Sequence, residues 1–422
     1  MQIEIKPLST IDAVIEIPGS KSYTNRALLV ASLANGISYL EGSLLSEDTN
    51  LMIKALQQVG IPITAQGNHL TVMGRSGRMG LMKDPIFCGN SGTTLRFLAS
   101  FLALGHGSYT LDGNPRMRQR PVGDLIQSMK KLGIKVRGSL EENYPPLVIE
   151  ANGIEGGKTT LKGENSSQYL SSLLMSAPYA KHPVEIKIEG DLVSKPYVDM
   201  TLDVMKAFGV EVIHDNYKRF RIHTPQKYKP TYYTIESDAS NASYFFAAAA
   251  ITHGKVRINH LSSKTLQGDI RFLDLLQQMG CTIRKGTDWV EVIGHPLHAI
   301  EADLKDIPDM VQTLAIVALF AKGHTRIKNI AHLKIKETDR IKDLATELKK
   351  TGADVEFGND NIAISAEHLQ PGVIETYNDH RMAMSFAVAG LKISGVKIEN
   401  AECVKKSFPS FWDQFKTLYP PG

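Results

Sequence analysis

Many side chains that could do chemistry in this sequence lie where predicted helices begin, in short segments rich in Gly, Ser and Thr. The unpaired N–H groups and positive dipole end of a helix start attract phosphate or carboxylate, whereas a cation there is electrostatically unfavourable. Repeated Lys and Arg at such starts therefore predict binding of anionic substrates. At any single start, ordinary capping beside solvated cations is the alternative. The residues concerned are Lys21, Ser22, Arg26, Asn90, Gly92, Arg120, Ser166, Ser167, Gln168, Ser194, Tyr197, Lys336, Glu337, Arg340, Arg381 and Lys406.

Two carboxylates, Asp309 in IPDM and Glu337 in KETDR, are the candidates for acid–base chemistry. Asp309 follows Pro308, so its alternative role is an acidic residue in the first turn of a helix. Glu337 lies between Lys336 and Arg340, so its alternative role is a surface ion pair. Nearby cations would lower the pKa of either carboxyl and burial would raise it, and the sequence leaves open which effect is larger.

Several familiar motifs do not match. The segment GSKS lacks the upstream Gly of a phosphate-binding P-loop, and neither a GxSxG elbow nor an HExxH zinc motif occurs. His295 and His298 are separated by Pro296, which interrupts any helix and indicates a loop rather than a metal-binding pair. No stripe of aromatic and basic residues indicates nucleic-acid binding.

The chain has 422 residues, with 48 Lys and Arg against 44 Asp and Glu, for a net charge of +4. This length predicts two or three domains, and the slight charge indicates no nucleic-acid partner. Cys88, Cys281 and Cys403 lie far apart without a CxxC pair, which favours a reducing compartment over disulfides or zinc. The start MQIEIKPL is typical of a strand rather than a signal peptide, and the apolar stretches are too short to span a bilayer. We therefore expect a cytoplasmic protein without a membrane partner.

A repeat of about 70 residues organises the chain. In five places a predicted helix ends at Gly and an alternating strand follows, as in ALQQVGIPI and LLQQMGCTI. Gly at such a position suits the left-handed conformation that ends many helices. These glycines are Gly60, Gly133, Gly209, Gly280 and Gly352.

A second series of predicted helix starts has the same period. The sixth repeat lacks a clear second Gly, but SFPSFWDQFKTL (407–418) is interpreted as its shortened second helix. Two helices with strands between them in every repeat predict an α/β fold, in which Ala-rich helices such as 241–251 should be almost completely buried. The starts lie near Ser20, Ser91, Ser166, Ser240, Asp309 and Asp379.

The motifs GSKSYTNRALL, GNSGTTLR, PRMRQRP, SSQYLSSLLMSAP, VSKPYVDMTL, SDASNASYF, KETDR and NDHRMAM occur in this order. They closely resemble the 5-enolpyruvylshikimate-3-phosphate synthase family, over about Ile3 to Phe411. The resemblance implies two globular domains, each of three βαβαββ-type units in an inside-out α/β barrel-like arrangement, with the active site in the cleft between them. It further implies a first domain of residues 1–19 plus 239–422 and an inserted domain of residues 20–238, with hinge crossovers near 19 and 238.

By this resemblance, the chain should transfer the enolpyruvyl group of phosphoenolpyruvate to the 5-hydroxyl of shikimate 3-phosphate, releasing phosphate through a tetrahedral ketal. The family's pathway leads to chorismate and the aromatic amino acids. No metal and no organic cofactor is implied, and a monomer is expected. The resemblance makes Asp309 the base for the 5-hydroxyl, and Glu337, with Lys21, the group that handles the proton at the methylene carbon.

The resemblance also implies binding residues, by their places in the motifs. Since both substrates are anions, a ring of cations is needed to hold them within attack distance. The implied phosphoenolpyruvate contacts are Lys21, Asn90, Gly92, Arg120, Gln168, Arg340, Arg381 and Lys406. The implied shikimate 3-phosphate contacts are Lys21, Ser22, Arg26, Ser166, Ser167, Gln168, Ser194, Tyr197, Asp309, His332 and Lys336.

The sequence departs from the family pattern at three positions. His332 stands where Asn is usual and Lys334 where Arg is common, and His332 is still expected to hydrogen-bond shikimate 3-phosphate. Phe97 follows Arg96 where Pro is frequent, which could shift the helix that carries Gly92. That region lines the site for phosphoenolpyruvate and its competitor glyphosate, so inhibitor sensitivity is an open question, although Gly92 follows the sensitive pattern.

Two alternatives remain at this point. The related transferase acting on UDP-N-acetylglucosamine shares the fold and the donor, but it usually carries a reactive Cys in the loop around 114–120, where this chain reads NPRMRQR. A non-catalytic anion-binding homologue would be expected to lose Lys21, Asp309 or Glu337, and all three are present.

Overall fold

The computed structural model describes residues Met1–Pro420 and has a mixed α/β fold, which confirms the fold class that the repeat predicts. The chain forms two compact units, each with its own hydrophobic core. The central unit comprises Gly19–Ile235. The terminal unit combines Met1–Pro18 with the chain from Glu236 onward.

Strands in both units are short, and most have two to seven residues. They are β1 (Ile3–Glu4), β2 (Asp12–Ile15), β3 (Asn35–Glu41), β4 (Ile63–Gln66), β5 (His69–Arg75), β6 (Ile86–Phe87), β7 (His106–Asp112), β8 (Lys135–Gly138), β9 (Leu147–Asn152), β10 (Gly157–Lys162), β11 (Val184–Glu189), β12 (Ile213–Asp215), β13 (Arg219–Ile222), β14 (Tyr232–Thr234), β15 (Lys255–Asn259), β16 (Thr282–Lys285), β17 (Trp289–Ile293), β18 (Leu297–His298), β19 (Glu301–Asp303), β20 (Ala321–Lys322), β21 (Thr325–Lys328), β22 (Asp354–Phe357), β23 (Asn361–Ser365), β24 (Val373–Ile374) and β25 (Lys397–Ile398).

The helices alternate with these strands. They are α1 (Lys21–Leu33), α2 (Glu47–Gln58), α3 (Gly92–Leu102), α4 (Gly123–Lys131), α5 (Ser167–Ser176), α6 (Lys195–Ala207), α7 (Ala239–Thr252), α8 (Phe272–Gln278), α9 (Val311–Ala318), α10 (Arg340–Lys350), α11 (His380–Gly390) and α12 (Phe411–Lys416). Short 3-10 helices cover Met117–Gln119, Ala177–Tyr179, Gly268–Arg271, Pro308–Met310, Ala331–Ile335 and Ala401–Lys406.

The repeat predicted from glycine spacing is confirmed. The five glycines that follow α2, α4, α6, α8 and α10 have φ between +82 and +117, the left-handed region that favours Gly at a helix end. Helix α12 occupies the place predicted for the shortened last helix.

Most predicted helix starts are confirmed, with two shifts. The side chains of Ser20, Ser91, Ser166 and Asp379 accept a hydrogen bond from a backbone N–H in the first turn of α1, α3, α5 and α11. Helix α7 is capped by Asp238, two residues before the predicted Ser240, because the Asp238 carboxylate accepts from the Asn241 N–H at 2.9 Å. Asp309 lies in the 3-10 turn Pro308–Met310, and α9 itself begins at Val311.

Five four-stranded sheets share one topology. In each, the first strand in the order pairs in parallel with the second, and the other two strands form an antiparallel extension. The orders are β14-β3-β5-β4, β6-β7-β9-β8 and β10-β11-β13-β12 in the central unit, and β2-β15-β17-β16 and β19-β21-β23-β22 in the terminal unit. A three-stranded sheet, β1-β25-β24, supplies the sixth repeat, and β18 pairs with β20.

The first strands of two repeats are exchanged. Strand β2 precedes α1 in the chain, yet it pairs in parallel with β15, with Asp12 opposite Lys255. Strand β14 precedes α7, yet it pairs in parallel with β3, with Tyr232 opposite Tyr39. Each unit therefore completes one sheet with a strand that is distant in sequence.

The first helix of each repeat lies in the core. Every residue of α7 is buried, which confirms the expectation for this Ala-rich segment. The hydroxyl oxygens of Ser243 and Thr313 lie 3.3 Å apart and those of Thr313 and Ser385 3.5 Å apart, so α7, α9 and α11 meet at repeat-equivalent residues. The three cysteines are free and buried. No helix within residues 1–420 is long and apolar enough to cross a membrane.

Candidate active site

In the central unit, the first helix start holds Lys21 beside a carboxylate. The Lys21 Nζ lies 3.1 Å from the Asp48 Oδ2, and the Asp48 side chain is buried in the first turn of α2. Because the Lys21 side chain keeps some exposure while Asp48 does not, the carboxylate orients the ammonium from within the protein. Asp48 was not among the predicted residues, since an acid in the first turn of a helix is typical of ordinary dipole stabilisation.

Arg26, on α1, is buried among neutral acceptors. Its guanidinium donates to the Thr201 hydroxyl at 2.8 Å and to the backbone oxygens of Ser22 and Tyr197 at 2.9 Å each. Burial lowers the pKa of Arg26 to about 10. The guanidinium carbon also lies 5.2 Å from the centre of the Phe97 ring. Phe97, one of the three departures from the family pattern, therefore packs against Arg26, a predicted shikimate 3-phosphate contact.

Asn90, Gly92 and Arg120 form a second group. The Arg120 guanidinium is buried and donates to the backbone oxygen of Asn90 at 3.2 Å and to its side-chain oxygen at 3.3 Å. A Cβ on Gly92 would lie 2.8 Å from the Arg120 Nη2, so only Gly leaves room for the guanidinium here. The start of α3 and the segment before α4 thus place a cation beside the first residue of a helix, an arrangement that can bind phosphate or carboxylate.

Gln168, in the first turn of α5, connects α5 to α3. Its side-chain oxygen accepts from the Arg96 Nη1 at 2.7 Å, and its side-chain nitrogen donates to the Thr93 hydroxyl at 3.0 Å. Ser166 caps the same helix, and Ser167 is its first residue. Arg96 and Thr93 were named in their motif but not assigned roles, since neither shows its long-range partner in the sequence.

Ser194 and Tyr197 are adjacent at the start of α6. Ser194 has φ +56 and its backbone oxygen accepts from the Tyr197 N–H at 3.1 Å. A left-handed non-Gly residue is uncommon and is found where surrounding structure holds it. Its conformation turns the chain into α6, whose Tyr197 also accepts from Arg26.

In the terminal unit, Arg340 is the centre of a buried ionic cluster. Its Nε and Nη2 donate to the two oxygens of Asp379, at 2.6 and 3.2 Å, and its Nη1 donates to Asp309 at 3.0 Å. Glu337 lies 3.0 Å from the Nη2. Burial alone would lower the pKa of Arg340, but Asp379, Glu337 and Asp309 raise it above its usual value. The guanidinium is thus a fixed cation that orients both predicted acid–base residues.

Arg381 binds the other oxygen of Asp309. Its Nη2 donates to the Asp309 Oδ2 at 2.7 Å, and its Nη1 donates to the Tyr244 hydroxyl at 3.1 Å. Burial raises the pKa of Tyr244 to about 12, with Arg381 opposing the shift. The Asp309 carboxylate is therefore held between two guanidiniums and is about one-fifth exposed, so it is oriented and still reachable from solvent. Tyr244 was not predicted, because its sequence context is that of a core helix.

His332 and Lys406 lie in 3-10 helices of the terminal unit. His332 is buried, and burial together with nearby Lys336 lowers the pKa of its imidazole to about 3. The Nε2 of His332 has no hydrogen-bond partner among the described residues, so it can still accept from or donate to a bound hydroxyl. Lys406 is buried at the end of Ala401–Lys406.

We expect the His332→Asn variant to resist acid better than the original protein. An imidazole whose pKa is about 3 when folded and about 6.5 when unfolded favours unfolding as pH falls through this window, since the unfolded chain binds the extra proton. In the original protein, His332 should lower the free energy of unfolding by about 2 kcal/mol at pH 5 relative to neutral pH. Urea unfolding at pH 7 and pH 5 measures it. The exposed His324→Asn is the control, and an equal pH dependence of the two variants would contradict the expectation.

The predicted residues thus form two sets, one in each unit. In the central unit the structure brings together two groups: Ser22 with Arg26 and Tyr197, and Asn90 with Gly92 and Arg120. In the terminal unit it brings together a third group. Among residues 1–420, no group of three or more His, Cys, Asp or Glu is placed to hold a metal ion. The third group comprises Asp309, Glu337, Arg340 and Arg381.

Known proteins resemble this chain over its whole length. A family model described as EPSP synthase (3-phosphoshikimate 1-carboxyvinyltransferase) matches residues 5–415. A 3-phosphoshikimate 1-carboxyvinyltransferase of Nostoc punctiforme is 47% identical over 417 residues, covering 98% of each chain, and one of Marinomonas sp. is 44% identical, covering 99% of each. A solved EPSP synthase from Acinetobacter baumannii matches with a TM-score of 0.82 at 26% identity, covering 99% of this chain and 98% of that one. With the family model matching residues 5–415 and relatives at 44–47% identity over nearly the whole length, the chain belongs to the EPSP synthase (3-phosphoshikimate 1-carboxyvinyltransferase) family.

Proposed function

We propose that this protein transfers the enolpyruvyl group of phosphoenolpyruvate to the 5-hydroxyl of shikimate 3-phosphate, with release of phosphate, in the pathway to chorismate and the aromatic amino acids. The observation that carries the proposal is the Asp309 carboxylate held between Arg340 and Arg381, in a chain that matches the family from residue 5 to 415. A carboxylate among fixed cations suits a reaction that deprotonates a hydroxyl beside anionic substrates.

The cations of both units supply the binding charge. In the central unit, Lys21 and Arg26 serve shikimate 3-phosphate and Arg120 serves phosphoenolpyruvate. In the terminal unit, Arg340 and Arg381 serve phosphoenolpyruvate, with Lys406. Two anions repel one another in water, so fixed cations that bind both reduce the free energy needed to bring them to attack distance. Because Arg340 and Arg381 are already oriented by carboxylates, little reorganisation accompanies binding.

The carboxylates carry the protons. Glu337, with Lys21, protonates the methylene carbon of phosphoenolpyruvate, which leaves an oxocarbenium-like centre. Asp309 takes the proton from the 5-hydroxyl while the hydroxyl oxygen attacks that centre, which gives the tetrahedral ketal. In the second half, loss of a methyl proton restores the double bond and the carbon–oxygen bond to phosphate breaks, so each acid also acts as a base. The cations stabilise the departing phosphate.

The remaining binding residues place shikimate 3-phosphate. The hydroxyls of Ser166, Ser167 and Ser194 lie at helix starts, where hydroxyl and backbone N–H groups together suit a phosphate. Gln168, held by Arg96 and Thr93, contacts both substrates, and Lys336 adds a cation beside His332. His332 stays neutral over the working pH range, so it acts as a hydrogen-bonding group in place of an amide.

We also propose that the enzyme works as a monomer in the cytoplasm, on small-molecule substrates. The three buried, free cysteines are consistent with a reducing compartment. Light scattering at micromolar concentration should give the mass of one chain, and a dimer mass would contradict this part of the proposal.

Substrate identity is tested by phosphate release. With phosphoenolpyruvate and shikimate 3-phosphate we expect turnover, unaffected by thorough chelation, because Lys and Arg side chains supply the positive charge. With phosphoenolpyruvate and UDP-N-acetylglucosamine we expect none, since the loop NPRMRQR carries no Cys. Turnover only with the UDP-sugar, or with neither acceptor, would overturn the proposed function.

A further inference from the structure

Helix α10 presents two buried charged side chains to the segment that leads into α11. Arg340 and Glu347 are seven residues apart and lie on the same face of the helix. Arg340 binds Asp379, and the Glu347 carboxylate accepts a hydrogen bond from the Tyr377 hydroxyl at 2.8 Å. Glu347 is 0% exposed, and a fully buried carboxylate is costly unless it is hydrogen-bonded. Two opposite charges on one helix therefore hold one short segment at two points.

The held segment contains two strained residues. Tyr377 has φ +52 and Asn378 has φ +56, both in the left-handed region, which a Tyr rarely adopts. Such a conformation persists only where surrounding contacts determine it. Glu347 binds the first residue of the strained pair, Tyr377, and also accepts from the Glu375 N–H before it, at 3.1 Å. Arg340 binds Asp379, directly after the pair.

The residues immediately after the strained pair belong to the terminal-unit cluster. The Asp379 carboxylate accepts from Arg340 and also from the Arg381 backbone N–H at 2.9 Å, which starts α11. Arg381 then reaches Asp309. A change of backbone conformation at Tyr377 would therefore move Asp379 and the guanidinium of Arg381 together.

We propose that Glu347 and Tyr377 are positioning residues, whose hydrogen bond fixes the strained turn and so orients Asp379 and Arg381 to bind phosphoenolpyruvate. This inference rests on the proposed function, because it takes phosphoenolpyruvate as the anion that Arg381 binds. Neither residue is one of the implied substrate contacts. The charge of Glu347 is balanced by Lys350, whose Nζ lies 2.8 Å away at the half-exposed edge of α10.

Tyr377→Phe is the direct test, because it removes one hydroxyl oxygen and keeps the ring. We expect the KM for phosphoenolpyruvate to rise about tenfold, since one hydrogen bond to a charged group is lost. The KM for shikimate 3-phosphate should change by less than about twofold, because most of its implied contacts lie in the central unit and Asp309 is still held by Arg340. Glu347→Gln keeps an oxygen that can accept from Tyr377, so its effect should be smaller.

Two controls separate positioning from general damage. Tyr217→Phe is matched, because Tyr217 also has a positive φ of +60 and donates its hydroxyl to a carboxylate, Asp199, at 2.6 Å, but in the central unit. Lys350→Ala removes the exposed partner of Glu347 and leaves Tyr377 in place. Both should keep the KM for phosphoenolpyruvate. A Tyr377→Phe KM within about twofold of the original, or an equal rise for both substrates, would overturn the inference.

A crystal structure of Tyr377→Phe gives a second readout that does not depend on the reaction. We expect the turn at 377–378 to leave the left-handed region and the pair between Asp379 and Arg340 to lengthen. An unchanged turn would overturn the positioning role even if the KM for phosphoenolpyruvate rises. Failure of the proposed function is seen separately, as absence of turnover by the original protein. In that case the crystal structure still decides whether the hydrogen bond between Tyr377 and Glu347 fixes the turn.

Discussion

Asp309→Ala should lower kcat by roughly 10²–10⁴ while leaving the affinity for phosphoenolpyruvate almost unchanged. Its carboxylate accepts hydrogen bonds from Arg340 at 3.0 Å and from Arg381 at 2.7 Å. Removing it eliminates the proposed base for the 5-hydroxyl but also releases two guanidiniums toward the anionic substrate. The change therefore removes proton transfer without weakening attraction for anions.

Steady-state kinetics of matched variants checks this expectation. Asp309→Asn keeps one oxygen that can accept from a guanidinium and cannot act as a base, so it should also lose kcat. Glu337→Gln applies the same test to the proposed acid, because its amide oxygen can still accept from Arg340. Asp303→Ala, an exposed acid on β19, is the control and should keep kcat. Near-normal kcat in the Asp309 and Glu337 variants would make both residues ion-pair acids and the mechanism wrong.

Gly92→Ala should raise the KM for phosphoenolpyruvate by about 10- to 100-fold. The reason is that a shift of up to about 1 Å in a binding group, here the Arg120 guanidinium, is enough for such losses. The added Cβ would lie 2.8 to 3.1 Å from three guanidinium atoms of Arg120. The guanidinium is the end of a flexible side chain, so it can move and the fold should remain. Its hydrogen bonds to Asn90 would be lost, together with its orientation toward the helix start.

The control for this change is Gly80→Ala. Its Cβ would meet only the Val59 backbone, at 3.7 Å, which is ordinary van der Waals contact. We expect a normal KM in that variant and an unchanged KM for shikimate 3-phosphate in both. Arg120→Lys should resemble Gly92→Ala, because Lys lacks the bidentate fork. A normal phosphoenolpyruvate KM in Gly92→Ala would show that Arg120 does not bind this substrate.

Local rules were enough to predict the repeat and most helix ends. Gly60 and Gly352 could be recognised because a residue that ends a helix in the left-handed region is usually Gly. The start of α7 was predicted only to within two residues, because Asp238 and Ser240 are both good caps and only the hydrogen bond to Asn241 distinguishes them. The strand exchange could not be predicted, since alternation in β2 and β14 shows that they are strands but not which sheet they join.

The candidate site shows the same limit. Arg340 and Arg381 could be predicted from the anion-binding argument and the motifs, because their type and place are local properties. Asp379 and Asp48 could not, since an acid at a helix start is explained equally well by capping. Their contacts with Arg340 and Lys21 join elements far apart in the chain, and such pairings depend on tertiary structure.

The exchange of β2 and β14 gives the two units different histories during synthesis. The central unit is one continuous segment, so its sheets can be complete once β14 has left the ribosome. Strand β2 is made before the central unit, but its partner β15 follows only after that whole unit, with Asp12 paired to Lys255. At roughly 5–20 residues per second, β2 waits on the order of 10–50 s with an unpaired edge. An unpaired strand edge is a template for wrong pairing, so β2 is exposed to that hazard until β15 emerges.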